Sequence, residues 1–399
     1  MRKKTVRNRI INKSLPKFNA IHNMKNLSFL ALSCTLILIV ACTFKPQLKN
    51  YSEVRLELVQ LHSEPIIKAG DPGTEDIKFG FEGGTCRKVN GVYYLFTTEV
   101  FDEPKTAAVR LAIWKSDDGL KFRKHSVIVE TNRNWEDTTH HMSPWAPNAV
   151  FDSVRNVWSV FHVGYKRKLN STNVFNMTGR VFRYDSEVKG LEGIGGPYQE
   201  GGWLNIDRTP EWWEGPGEIV SFYPYKVGNE WWGFYGGNSV PDHVAANGVL
   251  NPNAKNIFYA GLVKSEGGLT DKWVRQPKLN PVQMDSTFIE NSVVTQVAPN
   301  LYINLYDGAN NQEISYSWST DGIHWVREQL LILTNAPAWI INTRTPLCLI
   351  DEGNGIYTIY FTAFDGNNPN KIEPLWHDGF GNVGMVKVKL VTKSTDLNK

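Results

Sequence analysis

The 399-residue sequence has little that predicts a helical protein or a nucleotide, zinc or thiol site. Beyond residue 42, apolar residues do not recur over long runs at the i, i+3, i+4, i+7 spacing of an amphipathic helix. The P-loop, HExxH, GxSxG and CxxC patterns are absent from the sequence as well. P-loop phosphoryl transfer, zinc-peptidase, serine-hydrolase and thiol-redox chemistry therefore have no support in the sequence.

Cysteine is scarce, and its four positions are too few and too scattered for a disulfide framework. Cys34 lies in an apolar N-terminal run and Cys42 follows that run, which leaves Cys86 and Cys348 for the folded part of the chain. We expect both to be buried as small hydrophobic residues. A disulfide between them stays open as the alternative, because an oxidising compartment permits one.

Positive charge is concentrated at the N-terminus. Residues 1–41 hold eight Lys and Arg residues and no acidic residue. Removing these eight from the 43 basic residues of the chain leaves 35, against 40 acidic ones, so the remainder is acidic overall. No run of Lys and Arg longer than three residues occurs in that remainder, and we therefore expect no nucleic-acid partner.

The N-terminal segment is typical of an export signal. A cationic stretch ending at Lys25 precedes an apolar run, Leu27 to Val40, that is short for a membrane span. The end of this run, Ile39-Val40-Ala41-Cys42, resembles the lipobox of bacterial lipoproteins. That resemblance implies that the Cys42 thiol is diacylated and that Cys42 becomes the new N-terminus.

The predicted organisation has three parts. Residues 1–42 are a lipoprotein signal peptide with the lipidation site, residues 43–53 are a short tether, and residues 54–399 are one catalytic domain. The resemblance implies a protein that is exported and lipid-anchored to a bacterial membrane, in the periplasm or at the cell surface, with no other membrane contact. An ordinary apolar leader with a chance cysteine is the alternative.

Short β-rich runs broken by Gly, Asn, Asp and Pro predict many antiparallel strands. The 14 Trp, 15 Tyr and 19 Phe residues suit sheet cores and also provide flat platforms for sugar rings. The sequence predicts an all-β fold, a five-bladed β-propeller of four-stranded antiparallel blades. Five β-rich runs stand in equivalent places, each after a turn and before a further strand: 92–97, 157–162, 231–235, 301–306 and 356–362.

Two turns are close copies of each other, Ser116-Asp-Asp-Gly-Leu-Lys-Phe122 and Ser319-Thr-Asp-Gly-Ile-His-Trp325. This repetition favours the propeller over the alternative of a β-sandwich. The segment Val54-Arg-Leu-Glu-Leu58 precedes the first blade and is a candidate to complete the sheet of the last one. The predicted blades cover approximately residues 76–135, 140–205, 210–282, 286–335 and 340–390.

The first strand of each predicted blade lines the central channel. Three of these strands carry a glutamate near the start, Glu82, Glu214 and Glu290, and the fifth carries Arg344 there. Carboxylates at buried positions are unfavourable unless they are paired or used, and several around one axis raise the pKa of at least one. Glycoside hydrolysis needs one protonated carboxyl for the leaving oxygen and one carboxylate that activates water or attacks the sugar.

Two short motifs, Trp145-Ala146-Pro147 and Glu214-Gly215-Pro216, resemble those of five-bladed glycoside hydrolases. The resemblance is greatest to the family 43 arabinanases and xylosidases, and families 117 and 130 share their architecture. It implies a glycosidase in which Glu214 is the general acid. Asn148 stands where the family usually continues the Trp-Ala-Pro motif with an acid.

Further residues are candidates for the site. Glu82 has the best inner-strand context for the base or nucleophile, Asp71 and Asp76 are the alternatives, and Glu290 is expected to tune the acid or bind substrate. Arg344 is expected either to clamp an acidic sugar or to neutralise the glutamates. We expect substrate contacts from Asp76, His141, Trp145, Asn148, Trp213, Asp242, His243 and Arg344.

The predicted function is that of a glycoside hydrolase acting on a plant or algal oligosaccharide or polysaccharide, with carboxylate acid/base catalysis in the central funnel of the propeller. No cofactor is required, although the family resemblance implies that His377 helps to hold a structural calcium ion on the axis. The alternatives are a non-catalytic glycan-binding lipoprotein and a glycoside phosphorylase on the same scaffold.

Overall fold

The computed structural model describes residues 50–104, 107–167, 177–206, 211, 213–214, 219–238, 258–284, 288–308, 312–366 and 379–395. All of them belong to one compact unit, Lys49–Lys399. Within these ranges, no helix is long and apolar enough to cross a membrane. The predicted lipidation site Cys42 and the predicted site residues Asp242, His243 and His377 lie outside the described residues.

Strands dominate the described residues, which also include one short 3-10 helix, Leu191–Gly195. Val, Ile, Tyr, Phe and Trp are frequent in the strands, as a pleated and half-buried surface favours. In chain order, the strands are β1 (Asn50–Leu61), β2 (Gly80–Val89), β3 (Val92–Val100), β4 (Val109–Ser116), β5 (Arg123–Glu130), β6 (Ser143–Asp152), β7 (Val157–Arg167), β8 (Met177–Ser186), β9 (Tyr198–Trp203), β10 (Ile219–Val227), β11 (Glu230–Asn238), β12 (Phe258–Ser265), β13 (Trp273–Arg275), β14 (Glu290–Ala298), β15 (Leu301–Asp307), β16 (Glu313–Ser319), β17 (Gln329–Ile332), β18 (Asn342–Pro346), β19 (Ile350–Gly353), β20 (Ile356–Phe364) and β21 (Gly381–Thr395).

Three sheets consist of four antiparallel strands each: β6–β9, β10–β13 and β14–β17. Within each sheet, every strand pairs with the next one along the chain, so the first and fourth strands lie at opposite edges. Antiparallel strands that follow each other directly need only a hairpin between them. The predicted all-β fold and its four-stranded antiparallel sheets are confirmed.

The other nine strands form one sheet that divides into two groups. The β2–β5 group and the β18–β21 group, which includes β1, are joined by a single parallel bridge between Gly80 and Gly381. Gly80 has a φ of +89°, and a Cβ there would lie 2.3 Å from the Gly381 backbone. Glycine is therefore required at Gly80, both for its left-handed conformation and for this close approach.

The first described strand closes the last group. β1 runs antiparallel to β21, with Leu56 opposite Leu390, and forms an outer strand of the β18–β21 group. Val54 and Leu56 are buried in the largest apolar core cluster. The prediction that Val54–Leu58 completes the last sheet is confirmed.

Hydrogen bonds connect the first strand of each sheet or group to that of the next. We call these strands, β2, β6, β10, β14 and β18 with its following segment, the inner strands. Because the series of bonds starts from β2 and returns to it, the inner strands form a closed cycle. We call the region that they enclose the common centre. In order, the bonds are Thr85 Oγ1 to Pro147 O (3.4 Å), Asn148 Nδ2 to Phe222 O (2.7 Å), Tyr223 hydroxyl to Val294 O (3.3 Å), Thr295 Oγ1 to Leu349 O (3.4 Å) and Cys86 N to Leu347 O (2.8 Å).

The two Ser-x-Asp-Gly turns have the same internal hydrogen bonds. The amide of Gly119 donates to Ser116 Oγ at 2.9 Å, and Asp118 Oδ1 accepts from the following amide at 2.8 Å. The second turn repeats both bonds at the same distances, with Ser319 and Asp321 as the acceptors. The repeated sequence therefore encodes a repeated local structure.

Each of these turns also receives a hydrogen bond from a buried tyrosine of another sheet or strand group. The hydroxyl of Tyr360, on β20, donates to the Gly119 carbonyl at 2.7 Å. The hydroxyl of Tyr225, on β10, donates to the Gly322 carbonyl at 2.8 Å. The β18–β21 group therefore contacts the β2–β5 group in the same way that the β10–β13 sheet contacts the β14–β17 sheet.

Candidate active site

An arginine and three carboxylates meet at the common centre, and we call Arg344, Glu82, Glu290 and Asp307 the Arg344 cluster. Arg344 Nε donates to Glu82 Oε1 at 3.0 Å, and its Nη2 donates to Glu290 Oε2 at 2.8 Å. Its Nη1 forms an ion pair with Asp307. The exposed side-chain fractions are 8% for Arg344, 6% for Glu82, 11% for Glu290 and 3% for Asp307.

The positions of these residues in their strands explain why they meet. Glu82 and Arg344 are the third residues of β2 and β18, and Glu290 is the first residue of β14. Since the inner strands surround a common centre, side chains at equivalent heights converge there. The structure thus brings together three of the four predicted inner-strand residues.

Asp307 is the member of the cluster that the sequence did not predict. It ends the second strand of its sheet, whereas the expectations concerned only first strands. In a hairpin, the end of the second strand lies opposite the start of the first, and Asp307 accordingly pairs in register with Glu290. The sequence does contain a signal, an acidic residue at the end of a largely apolar run, Leu301-Tyr-Ile-Asn-Leu-Tyr-Asp307.

The charges of the cluster act on the groups around it. Burial alone lowers the pKa of Arg344, and the charges of Glu82 and Glu290 more than offset this and raise that pKa above its ordinary value. Burial raises the pKa of Tyr165 well above its ordinary value, and the same two glutamates raise it further. Tyr165 lies on β7 and donates its hydroxyl to the Val220 carbonyl of β10 at 3.0 Å. Two further sheets therefore contribute to the surroundings of the cluster.

Glu214, the predicted general acid, is held in a separate ion pair. Arg275 donates from Nε to Glu214 Oε1 at 2.6 Å and from Nη2 to Oε2 at 2.7 Å. The hydroxyl of Tyr235 and the amide of Glu211 also donate to Oε1, at 2.8 and 3.1 Å. Glu214 is 1% exposed, and Arg275 lies on β13, the strand of the sheet farthest from the centre. This bidentate arrangement has the geometry of a strong ion pair between arginine and a carboxylate.

Three predicted substrate contacts on or near the inner strands differ in exposure. Trp213 is fully buried in an apolar core cluster. The side-chain amide of Asn148 is also buried and connects β6 to β10. Trp145 is half-buried, and its Nε1 donates to Ser143 Oγ at 2.6 Å. Of these three side chains, Trp145 is therefore the one with surface to offer a sugar ring.

The alternative bases lie outside the Arg344 cluster. Asp76 accepts two hydrogen bonds from Arg110 of β4, at 2.6 and 2.7 Å, and 63% of its side chain is exposed. These bonds lower the pKa of Asp76 below its ordinary value. Asp71 accepts a bond from the Lys68 amide at 2.9 Å within a local turn. The inner-strand context that favoured Glu82 in the sequence therefore also distinguishes it in the structure.

Three histidines lie at the β6–β9 sheet, His162 on β7 and His140 and His141 in the segment just before β6. The predicted contact His141 has a 33% exposed side chain, and its Nε2 lies 3.4 Å from Glu200 Oε2. His140 and His162 are buried, and their ring nitrogens have no hydrogen-bond partner among the residues that the structure describes. Burial lowers the pKa of His162 to about 4, and burial with the charges of Lys166 and Arg180 lowers that of His140 to about 3. Both rings are therefore neutral in the folded protein at neutral pH.

The protein is expected to lose stability in mild acid because of these two histidines. A histidine whose folded-state pKa is depressed stabilises the fold above the unfolded pKa of about 6.5, and this contribution is lost as the pH falls towards the folded value. His162→Leu removes one such group, which Phe182, Tyr184 and His141 surround. The fall in unfolding free energy from pH 7 to pH 5, measured by urea titration, should shrink by roughly 2 kcal/mol.

His125→Gln is the control for this measurement, because His125 is exposed. We expect this variant to show the same fall in stability between pH 7 and pH 5 as the unsubstituted protein. An equal fall in His162→Leu would contradict the prediction, since it would mean that His162 is protonated as readily in the folded state as in the unfolded state.

No family model and no curated protein matches the chain. Solved structures do match it. Zg3597, a family 117 glycoside hydrolase from the marine bacterium Zobellia galactanivorans, aligns with a TM-score of 0.53 and 13% identity over 85% of this chain and 91% of its own. A structure described as a glycoside hydrolase aligns with a TM-score of 0.55 and 12% identity, over 85% of this chain and 92% of its own. A GH43_1 enzyme from Xanthomonas citri, in complex with xylotriose, aligns with a TM-score of 0.51 and 11% identity, over 82% of this chain and 90% of its own.

The chain has the β-propeller fold of these glycoside hydrolases. The resemblance seen in Trp145-Ala146-Pro147 and Glu214-Gly215-Pro216 is thus confirmed at the level of the fold. The likeness extends over more than four-fifths of the chain, whereas the two motifs cover six residues. The architecture is therefore shared far more widely than the sequence.

The predicted axial calcium ion has no evident donor set in the part of the chain that the structure describes. Those residues contain no group of three or more His, Cys, Asp or Glu side chains placed to hold a metal. The carboxylates at the common centre are instead bound to Arg344. His377 lies outside the described residues.

Proposed function

We propose that the protein is a glycoside hydrolase, exported and lipid-anchored through Cys42, that acts on plant or algal oligosaccharides or polysaccharides. Its catalytic carboxyls are Glu82 and Glu290, in the funnel of a five-bladed propeller. The observation that carries the proposal is the Arg344 cluster, in which two buried carboxylates and the partly buried Glu290 converge at the centre of a fold shared with glycoside hydrolases.

Five blades account for the strand pairing. The three four-stranded sheets are blades two to four, and the nine-stranded sheet supplies blades one and five on either side of its single bridge. The cycle of inner-strand hydrogen bonds passes once through each of these units. The two tyrosine-to-turn contacts support the same ring. One joins the third blade to the fourth, and the other joins the fifth blade to the first.

The number of charges in the cluster favours one retained proton. Within the cluster, three ionised carboxylates would outnumber the one guanidinium by two negative charges. Like charges held close together in low dielectric favour protonation of one member. A glycosidase needs such a site, with one carboxyl protonated and another ionised.

Exposure distinguishes the two roles. Glu290 is the most exposed carboxyl of the cluster and begins its strand, so it is the best placed to give a proton to a leaving-group oxygen. Glu82 is more buried and accepts from Arg344 Nε, which favours its ionised form as the base or nucleophile. Glu214, which the family resemblance makes the acid, is assigned here to a structural ion pair with Arg275.

Arg344 is already engaged by the three carboxylates. Of the two roles expected for it, neutralising the glutamates is therefore favoured over clamping an acidic sugar. We infer that the sugar unit next to the cluster is uncharged. Trp145 supplies the half-buried aromatic surface on which such a ring can stack.

One observation favours a second candidate, a non-catalytic glycan-binding protein. Both catalytic candidates form ion pairs with the same arginine, an arrangement that also suits a purely structural role at the centre of the ring. A binder needs Trp145 and the funnel but no transferable proton.

The test is product release from a panel of plant and algal oligosaccharides, with and without inorganic phosphate, beside the variant Glu82→Gln/Glu290→Gln. We expect the unsubstituted chain to hydrolyse a substrate. The double variant should melt at the same temperature and still bind sugar, but it should not hydrolyse it. Equal binding by both proteins without release from any substrate would overturn the hydrolase and leave the binder. Sugar phosphate formed only with added phosphate would instead identify a phosphorylase.

A further inference from the structure

Two cysteines lie where the first and last units of the fold meet. Cys86 is on β2, and Cys348 lies in the segment between β18 and β19. Both are free thiols and buried, with exposed fractions of 1% and 2%. The amide of Cys86 donates to the carbonyl of Leu347, next to Cys348, at 2.8 Å. Gly80, which pairs with Gly381 between the two groups of the nine-stranded sheet, lies on the same strand as Cys86.

The geometry suits a covalent bond between them. A backbone hydrogen bond of this kind holds two segments at the spacing of neighbouring strands, about 4.8 Å. A disulfide needs Cα atoms about 4.4–6.8 Å apart. Both side chains line the same cavity. Burial raises the pKa of the Cys86 thiol, and the nearby Cys348 thiol raises it further.

We propose that Cys86 and Cys348 form a disulfide that fastens the first inner strand to the last once the protein meets a disulfide oxidant. Its formation in the cell rests on the proposed export, because reducing compartments keep thiols free. The geometric competence of the pair does not depend on export or on glycosidase activity.

The reaction is a thiol–disulfide exchange in which the electrons balance. One cysteine, as thiolate, attacks a small disulfide RS–SR, forms a mixed disulfide and releases one RS⁻. The second thiolate then attacks the cysteine sulfur of the mixed disulfide, closes the bond and releases the second RS⁻. The protein loses two electrons and two protons, and the oxidant becomes two RSH.

A cavity gives the oxidant a route to the pair. Cys86 and Cys348 both line a cavity of about 290 Å³, together with Arg87, Lys88 and Asp351. The raised pKa of Cys86 keeps its thiolate scarce in the folded protein. We therefore expect the bond to form faster during refolding, before the two strands close over the thiols, than in the native state.

The bond would enclose most of the folded chain, from β2 to the segment after β18. In the chain-entropy account, a disulfide that closes a longer loop restricts the unfolded state more. Reduction of the oxidised protein should therefore lower the melting temperature by about 5 °C or more.

The experiment compares the full chain with Cys86→Ala/Cys348→Ala after refolding in oxidised glutathione. Peptide mapping by mass spectrometry, after alkylation of free thiols, is expected to show a cross-link between the peptides of Cys86 and Cys348, independently of Cys34 and Cys42. The melting temperature of the unsubstituted chain should fall on addition of reductant, whereas that of the double variant should not change.

Several outcomes would overturn the proposal. If both peptides are alkylated after oxidative refolding, the two sulfur atoms do not bond. The same conclusion follows if Cys86 forms a disulfide with glutathione and not with Cys348. An equal melting temperature with and without reductant would show that the cysteines act only as packing residues. A cross-link in a protein with no activity would leave this proposal standing and count against the glycosidase alone.

Discussion

Replacing Glu290 with glutamine is expected to slow the hydrolysis of natural glycosides by roughly 10²–10⁴-fold, and that of activated aryl glycosides far less. A sugar alkoxide is a poor leaving group and needs a proton as the bond breaks. A nitrophenolate leaves without one, so an enzyme that lacks its general acid retains most of its rate on a nitrophenyl glycoside. This split follows from the proposed role of Glu290 as proton donor.

Glu82→Gln should not discriminate between leaving groups in this way. The residue acts on water or on the anomeric carbon, a step that both kinds of substrate share, so both rates should fall by a similar factor of about 10² or more. The two variants therefore separate the roles of two carboxyls that are bound to the same arginine.

The measurement is kcat/KM for matched natural and nitrophenyl glycosides across a range of pH. In Glu290→Gln, the fall in rate at high pH, where a general acid loses its proton, should disappear for the nitrophenyl substrate. The matched control is Glu230→Gln, which removes a largely exposed carboxylate and should leave all rates unchanged. Equal losses on both substrates in Glu290→Gln would rule out its role as the acid.

Local patterns explain why so much of the fold could be predicted. The Ser-x-Asp-Gly turns close on themselves through bonds within four residues, so their sequence is sufficient to identify them. The pairing of Val54–Leu58 with the last sheet could also be predicted. The segment alternates apolar and charged residues but belongs to none of the five predicted blades, so it needed a partner strand. The repeat of the predicted blades and the position of each residue in its first strand were likewise enough to predict that Glu82, Glu290 and Arg344 lie close together.

Pairings between distant side chains could not be predicted in the same way. The role of Glu214 depends on Arg275, which follows 61 residues later on an outer strand, and no spacing rule relates the two. Asp307 was missed because its strand is a second strand, and only the hairpin register shows that it reaches Glu290. Trp213 has the composition of a sugar platform, yet its surroundings in the apolar core leave none of its surface exposed.

Arg275→Met is expected to lower the free energy of unfolding by about 3–5 kcal/mol, the largest stability effect that we predict. The change leaves the carboxylate of Glu214 buried without this cation, and the donors that remain to it among the described residues are the Tyr235 hydroxyl and the Glu211 amide. Removing both charges, in Arg275→Met/Glu214→Leu, should restore part of the loss, because no uncompensated charge then remains. Urea titrations of the three proteins measure these differences.

Lys264→Met is the matched control on β12 of the same sheet. Its ion pair with Glu230 has a similar length, 2.7 Å, but its side chains are 34% and 54% exposed. Its loss should therefore have little effect on the free energy of unfolding. Glu214→Gln then decides between the two assignments of Glu214. A clear loss of stability with hydrolysis retained below the melting temperature supports the structural pair. A variant that is as stable as the unsubstituted chain and has no activity on natural glycosides would return the role of general acid to Glu214, and would mean that Arg275 releases it when the substrate binds.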